Sequence, residues 1–399
     1  MGIRSVGLGV WLAATALTCL ASVSAASASD IAVSTAQAGT HWTEGAARDL
    51  IVAIEDSRAE GLHPADYNLA GLKRVATDGE GGALDALATV SALALAHDYY
   101  FGRVSDRSDM QWMIQRSPYE AVQLPARLQA AIDDGKVQEF FAALLPSDPH
   151  YQALRSALAD MPTGAARDRL RVNMERWRWM PRSIATSYLY VNVPSYKLRV
   201  VEDGVQLSSY DVVVGAKDTP TPQMVSPTGS FVVNPAWYVP ASIARKSGLR
   251  AGRGGFTGRH NADGSYTVMQ PPGPRNALGR IKFNLENDQA IYLHDTNAKA
   301  AFNRDQRALS HGCVRVKDID QLAAELMSQG QGDPATLEEA LAKTQTATLR
   351  LPQTWPVYIV YFTADADGSG DITTYGDPYG YDAKVLTALD GKPLQVASN

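Results

Sequence analysis

The chain has 399 residues, 45% hydrophobic and 20% charged, with a net charge of −5. That is enough length for two or three domains and a sizeable core in an ordinary globular composition. A mildly acidic chain exerts no global pull on nucleic acid, so nucleic acid is excluded as a partner.

The N-terminus has the layout of an export signal: Arg4, an apolar run from Val6 to Val23, then small residues through Ser29. Val23-Ser24-Ala25 and Ala26-Ser27-Ala28 both fit a small-x-small cleavage site, so residues 1–28 are expected to be a cleaved signal peptide. The run is short for a membrane span, and Ala16-Leu17-Thr18 ahead of Cys19 is a poor lipoprotein motif. No later segment is apolar enough to cross a membrane. The mature protein is therefore expected to have no stable membrane span and to lie in the periplasm.

A helical region follows, over residues 29–165. Helices are expected over 44–59, where Leu50, Ile51 and Ile54 recur at helical spacing, and over 66–75, 82–100, 124–134, 137–145, 150–161 and 165–180. The plain reading is a bundle that supports the next domain. Arg176-Trp177-Arg178-Trp179 interleaves cations and aromatics. In an exported protein that reads as packing at a domain junction rather than as a single-strand binding surface.

From Ser187 the period changes to two, with Glu202-Asp203-Gly204 as a hairpin signal and further strands at 231–233 and 290–293. A β-rich domain is expected over residues 166–330. Inside it, about 241–270, lies a long connection with Gly248, Gly252, Gly254, Gly255, Gly258 and Gly264 and the cations Arg245, Lys246, Arg250, Arg253 and Arg259. A connection of that length is functional or disordered.

The stretch Ile291–Val316 carries the chemistry. Cys313 is the sole cysteine of the expected mature chain, and a lone thiol in an exported protein is exposed to mispairing. It sits between Ser310-His311-Gly312 and Val314-Arg315-Val316, with His294 upstream. A base and a permanent cation beside a thiol raise its thiolate fraction, and Gly312 lets backbone amides approach an oxyanion. Cys313 is thus the expected nucleophile. Spacing does not decide whether His294 or His311 is the base. The remaining histidines, His41, His63, His97, His150 and His260, are scattered and show no ligand spacing, so neither a metal nor another cofactor is expected.

Residues 331–399 are expected to form an extension packed on the catalytic domain. Asp365-Ala366-Asp367-Gly368 superficially suggests calcium, but position 12 of the loop is Gly376 rather than Glu, and a β-hairpin is the better reading.

His294, fifteen intervening residues and Ser310-His311-Gly312-Cys313-Val314-Arg315 resemble the signature of the L,D-transpeptidases. The fuller string YLHDT…RALSHGCVRV resembles the YcbB-like periplasmic branch of that family. The resemblance extends from about Val90 to Leu389, including HDYYFGRV, NMERWRWMP and PPGPRNALGRIKF. It implies an α+β multidomain protein with an N-terminal α-helical scaffold and a β-rich YkuD-type catalytic domain carrying a lid over 241–270. It assigns Cys313 as nucleophile, His294 as base and His311 as a hydrogen-bonding support. Amides of Gly312 and Cys313, with the Tyr292 hydroxyl, are expected to hold the oxyanion. Arg315 would bind a substrate carboxylate or brace the loop, Trp237 would line the pocket or fill the core, and Tyr292, Asp295 and Ser310 complete the expected substrate side. The partners implied are peptidoglycan stem peptides as donor and acceptor, with carbapenem-type β-lactams as covalent inhibitors. The implied product is a 3→3 cross-link, with a 1→3 link, L,D-carboxypeptidase or endopeptidase action, lipoprotein-to-wall transfer and non-catalytic wall binding as alternatives. The wall-binding insert usual in that branch is missing, since Met161 is followed almost at once by the helix bearing Arg176.

Overall fold

The structure, a computed structural model, describes residues 39–116, 123–262, 266–330, 332–366 and 370–391. The expected signal peptide and Cys19 lie outside the described residues.

Among the described residues, seven α-helices come first: α1 (Glu44–Asp56), α2 (Leu69–Thr77), α3 (Gly82–Phe101), α4 (Leu124–Asp133), α5 (Val137–Leu144), α6 (Pro149–Ala159) and α7 (Ala165–Trp179). Thr43 caps α1, its Oγ1 accepting from the Ala46 amide at 3.2 Å, and the buried face is Ala46, Ala47, Leu50, Ala53 and Ile54. The helix expected over 66–75 is split. A 3₁₀ turn spans Pro64–Tyr67 and α2 starts only after Asn68, which takes a left-handed φ of 55°. Proline opens the turn and asparagine tolerates the left-handed region, so the chain changes direction there.

The strongly polar α7 is buried from Leu170 to Trp179. Its charges are paired within the interior: Arg178 donates to Glu175 at 2.8 Å with both side chains fully buried, and also to the Glu60 carbonyl and the Tyr151 hydroxyl. Glu175 further accepts from the Trp179 indole and the Val104 amide, both at 2.8 Å. Buried charge is tolerated because each group is paired and hydrogen-bonded. The Arg-Trp-Arg-Trp stretch is therefore a junction that ties the helices to the strands.

Fourteen strands follow among the described residues: β1 (Tyr188–Asn192), β2 (Lys197–Glu202), β3 (Val205–Gly215), β4 (Met224–Val233), β5 (Trp237–Tyr238), β6 (Thr257–His260), β7 (Tyr266–Gln270), β8 (Ile281–Phe283), β9 (Leu293–His294), β10 (Ala308–Ser310), β11 (Val314–Val316), β12 (Ala347–Val360), β13 (Ala364–Ala366) and β14 (Ile372–Thr374). The main sheet runs β10-β3-β11-β9-β8-β4-β12-β1-β2. The long β3 pairs with β2 along its first half and with β11 and β10 along its second, so the sheet closes on itself. Phe231, Phe283, Leu293, Val314 and Val316 fill its interior. The expected hairpin at 202–204 joins β2 to β3, with Asp203 and Gly204 both at positive φ.

Two boundaries differ from the sequence expectation. The glycine-rich connection is folded: it contains α8 (Ala241–Lys246) and, with β5, a three-stranded sheet in the order β5-β7-β6. The segment beyond 331 is no appendage either. After α9 (Ile319–Ser328) and α10 (Pro334–Ala342), β12 lies between β4 and β1 in the main sheet. Its alternating LRLPQTWPVYIV pattern supplies interior residues such as Trp355, Val357 and Ile359. The final helix, α11 (Tyr381–Leu389), returns to α7, where Arg176 meets Asp382 at 2.7 Å. No helix among the described residues is long and apolar enough to cross a membrane.

Candidate active site

Strands β9 and β11 run parallel, with Leu293 opposite Val314 and His294 opposite Arg315. The Val314 amide donates to the Tyr292 carbonyl at 3.1 Å, which sets Cys313 beside Tyr292. Side chains alternate across a strand, so Leu293 and Val314 point into the core while Tyr292, His294, Cys313 and Arg315 share the opposite face. Antiparallel β8 adds Lys282, whose register partner is His294. The sequence reading passed over Lys282. Its signal was the alternation Ile281-Lys282-Phe283, in which two buried residues flank a cation on the outer face.

Cys313 is half-buried and its thiol donates to the Ala290 carbonyl at 3.4 Å. Ala290 holds a left-handed φ of 54° in a turn built by Asn287, whose side chain accepts from the Gln289 and Ile291 amides and donates to the Leu285 and Ile291 carbonyls. Burial pushes the thiol above its ordinary pKa, outweighing Tyr292, Lys282 and Arg315, which pull it down. Burial thus opposes the higher thiolate fraction expected from the neighbouring base and cation, and favours the neutral thiol.

His294 is buried, and burial together with the charges of Arg315 and Lys282 pulls its pKa down to about 3, with the Asp295 backbone opposing. It is a neutral imidazole at any physiological pH. Its Nδ1 has no hydrogen-bond partner among the described residues, and its ring stands 5.3 Å from that of Tyr292. The Tyr292 phenol touches the Cys313 thiol and is held above its ordinary pKa by burial and by that neighbour. Lys282 lies 5.0 Å over the Tyr292 ring. Neither Lys282 nor Arg315 has a carboxylate partner among the described residues, and the Arg315 Nε is buried without any partner. Burial presses both pKa values down. Two desolvated cations beside a thiol form a site for anionic groups.

Trp237, on β5, bridges this face and the 241–270 connection. Its indole faces Tyr292, while its ring lies 6.3 Å from that of Phe256. Of the cations in the 241–270 connection, Lys246 pairs with Asp218 at 2.7 Å and Arg259 lies over the Tyr238 ring.

Four expected site residues stand elsewhere. Ser310 Oγ donates to the Cys313 carbonyl at 2.5 Å and accepts from the Gly312 amide at 3.1 Å, so Ser310 braces the turn instead of touching substrate. The same bond occupies the Gly312 amide and reduces the expected pair of oxyanion donors to the Cys313 amide, helped by the Tyr292 hydroxyl. Gly312 itself sits at φ 118°, a conformation glycine adopts freely. Asp295 accepts from the Arg280 amide at 2.9 Å and pairs with Lys299, packed against Gly279, so it braces the neighbouring loop. His311 is exposed, faces Asp218 and makes no side-chain hydrogen bond among the described residues; it is not the expected support.

A support the sequence reading missed comes from the C-terminal segment. Thr221 Oγ1 donates to the Gly312 carbonyl at 2.6 Å and accepts from the Gly215 amide at 2.8 Å. The Tyr379 hydroxyl donates to the Gly215 carbonyl at 2.7 Å and accepts from the Thr221 amide at 3.1 Å. The turn that carries Cys313 is thus pinned from a residue 66 positions further along the chain.

A family model of the L,D-transpeptidase catalytic domain matches residues 186–359, and a model of a scaffold domain matches residues 35–158. A Haemophilus influenzae protein that bears the L,D-transpeptidase name is 29% identical over 380 residues, spanning 87% of this chain and 76% of that one. Among solved structures, the Ldtfm–avibactam carbamoyl enzyme is 16% identical, with a TM-score of 0.21, over 44% of this chain and about half (49%) of that one. The catalytic domain of the Enterococcus faecium L,D-transpeptidase acylated by ertapenem is 16% identical, with a TM-score of 0.21, over 44% of this chain and 98% of that one. From the two family matches, the chain belongs to the L,D-transpeptidases, with a scaffold domain ahead of a YkuD-type catalytic domain.

Proposed function

We propose that this protein is an exported, periplasmic peptidoglycan L,D-transpeptidase in which Cys313 is the nucleophile and His294 the base. The observation that carries the reading is one strand face holding a thiol, a neutral imidazole and two cations without carboxylate partners, Lys282 and Arg315. The donor is a tetrapeptide stem, whose carboxylates Lys282 and Arg315 bind. Rotation about the Cys313 Cα–Cβ bond turns the sulfur from the Ala290 carbonyl toward substrate.

Sulfur then attacks the carbonyl at the L-centre of diaminopimelate as the thiol proton passes to His294. The Cys313 amide and the Tyr292 hydroxyl hold the oxyanion. On collapse the bond to terminal D-alanine breaks, and His294 returns the proton to the leaving nitrogen. The side-chain amine of a second stem attacks the thioester, loses a proton through His294 and restores the thiol. The product is a 3→3 cross-link.

The test is purified protein with disaccharide-tetrapeptide, read by mass spectrometry. A dimer lacking one D-alanine, formed by the natural protein and absent with Cys313→Ala, is expected. The same dimer from Cys313→Ala overturns the reading, and tripeptide alone would assign L,D-carboxypeptidase action. A carbapenem adduct on Cys313 is expected from the same thiol chemistry.

A further inference from the structure

Away from β9 and β11, a cavity of about 490 Å³ opens among α3, α4, α5 and α6 and the segment after α7. That volume falls within the range of small-ligand sites. Its walls include Arg127, Arg155 and Arg182, and none of the described residues lining it is acidic. Arg182 donates Nη2 to the Tyr99 and Tyr100 carbonyls at 2.7 and 2.5 Å, but its Nε and Nη1 are buried with no partner among the described residues. Arg155 gives its Nε to Glu60 at 2.5 Å. Arg127 is exposed, in no ion pair among the described residues, with its guanidinium 6.0 Å from the centre of the Tyr100 ring. The Arg182 guanidinium stands 4.8 Å from the same ring.

Converging guanidinium groups repel, and buried N–H groups left without acceptors are costly. Burial, with the charge of Arg116, pulls the Arg182 pKa down to about 9, in keeping with a cation held without its counter-charge. An anion entering the cavity would relieve both. A planar guanidinium donates bidentately to a carboxylate. The other walls, Ala142, Leu145 and Pro146 with the amide of Gln152, suit a peptide better than a bare inorganic anion.

We propose that this helical-domain cavity binds the carboxylates of a peptidoglycan stem peptide and holds the enzyme on the wall. The inference rests on the peptidoglycan reading but concerns a second site, and it supplies an attachment that the missing wall-binding insert would otherwise provide.

The test uses the full chain with Cys313→Ala, which binds without turnover, co-sedimented with purified sacculi. Adding Arg182→Gln or Arg127→Gln is expected to weaken retention about tenfold, and soluble tetrapeptide to compete where its fully amidated form does not. Unchanged retention in both variants overturns the proposal, as does competition by inorganic phosphate at the same concentration as tetrapeptide. Arg127 is exposed, so its variant stays folded even if Arg182→Gln does not. In chains that keep Cys313, both arginine substitutions should leave carbapenem acylation within twofold of the natural rate. Loss of acylation in the natural protein would sink the catalytic reading instead, and would leave the sedimentation result to stand on its own.

Discussion

The Cys313 thiol donates its hydrogen to the Ala290 carbonyl at 3.4 Å, and Ala290 reaches that position only through a left-handed turn held by Asn287. That contact favours the neutral thiol, since the carbonyl would repel a thiolate.

Alkylation should show this directly. With burial raising the thiol above its ordinary range, the iodoacetamide rate at Cys313 is expected to climb about tenfold per pH unit through pH 8 and past pH 9. Intact-mass kinetics from pH 6 to 10 would measure it. A plateau below pH 8 would reveal a preformed thiolate and contradict the neutral thiol.

Lys282 and Arg315 face the same thiol without carboxylate partners. Lys282→Met should lower kcat/KM for the tetrapeptide donor roughly 10- to 100-fold, the range for removing a charged hydrogen bond, and chiefly through KM. Lys282→Arg should restore part of the loss. Steady-state kinetics with varied donor would expose the opposite pattern, a kcat effect alone, as a sign that the cation acts on the chemistry rather than on binding.

Tyr379 acts at a distance through Thr221 and the Gly312 carbonyl. Tyr379→Phe removes its two hydrogen bonds, to Gly215 and Thr221, and leaves the buried ring in place. The expected result is a fall in kcat of about tenfold, with a stability loss of about 1–2 kcal/mol. Donor KM should hardly move. Equal effects on an acylation rate and on unrelated surface accessibility would point to general loosening instead.

His294 makes stability depend on pH in a known direction. Its folded pKa of about 3 lies below the unfolded value near 6.5, so between them the unfolded chain binds the extra proton. Stability from this group is complete above about pH 6.5 and is lost as pH falls toward 3. Denaturant unfolding at pH 7 and pH 5 should show a smaller drop for His294→Gln than for the natural chain. An identical drop in both would mean that the histidine is solvated.

Much was decided by local order along the chain. The helical spacing of Leu50, Ile51 and Ile54, the period-two pattern after Ser187 and the turn pair Asp203-Gly204 each encode an element whose driving force is a neighbour a few residues away. The SHGC string likewise made Cys313 a candidate nucleophile and left His294 and His311 as candidate bases, because nucleophile chemistry needs particular side chains. What sequence order does not carry is which face of which strand looks at which. The parallel pairing of β9 with β11 set Arg315 across from His294, and the antiparallel pairing of β8 with β9 added Lys282 to the same face. The same packing gave Ser310, the Gly312 amide and Asp295 partners inside their own loops, turned His311 outward and drew Tyr379 in from the far end of the chain. Burial also opposes the higher thiolate fraction expected at Cys313, because desolvation of a thiol is a property of everything packed around it and of no single residue.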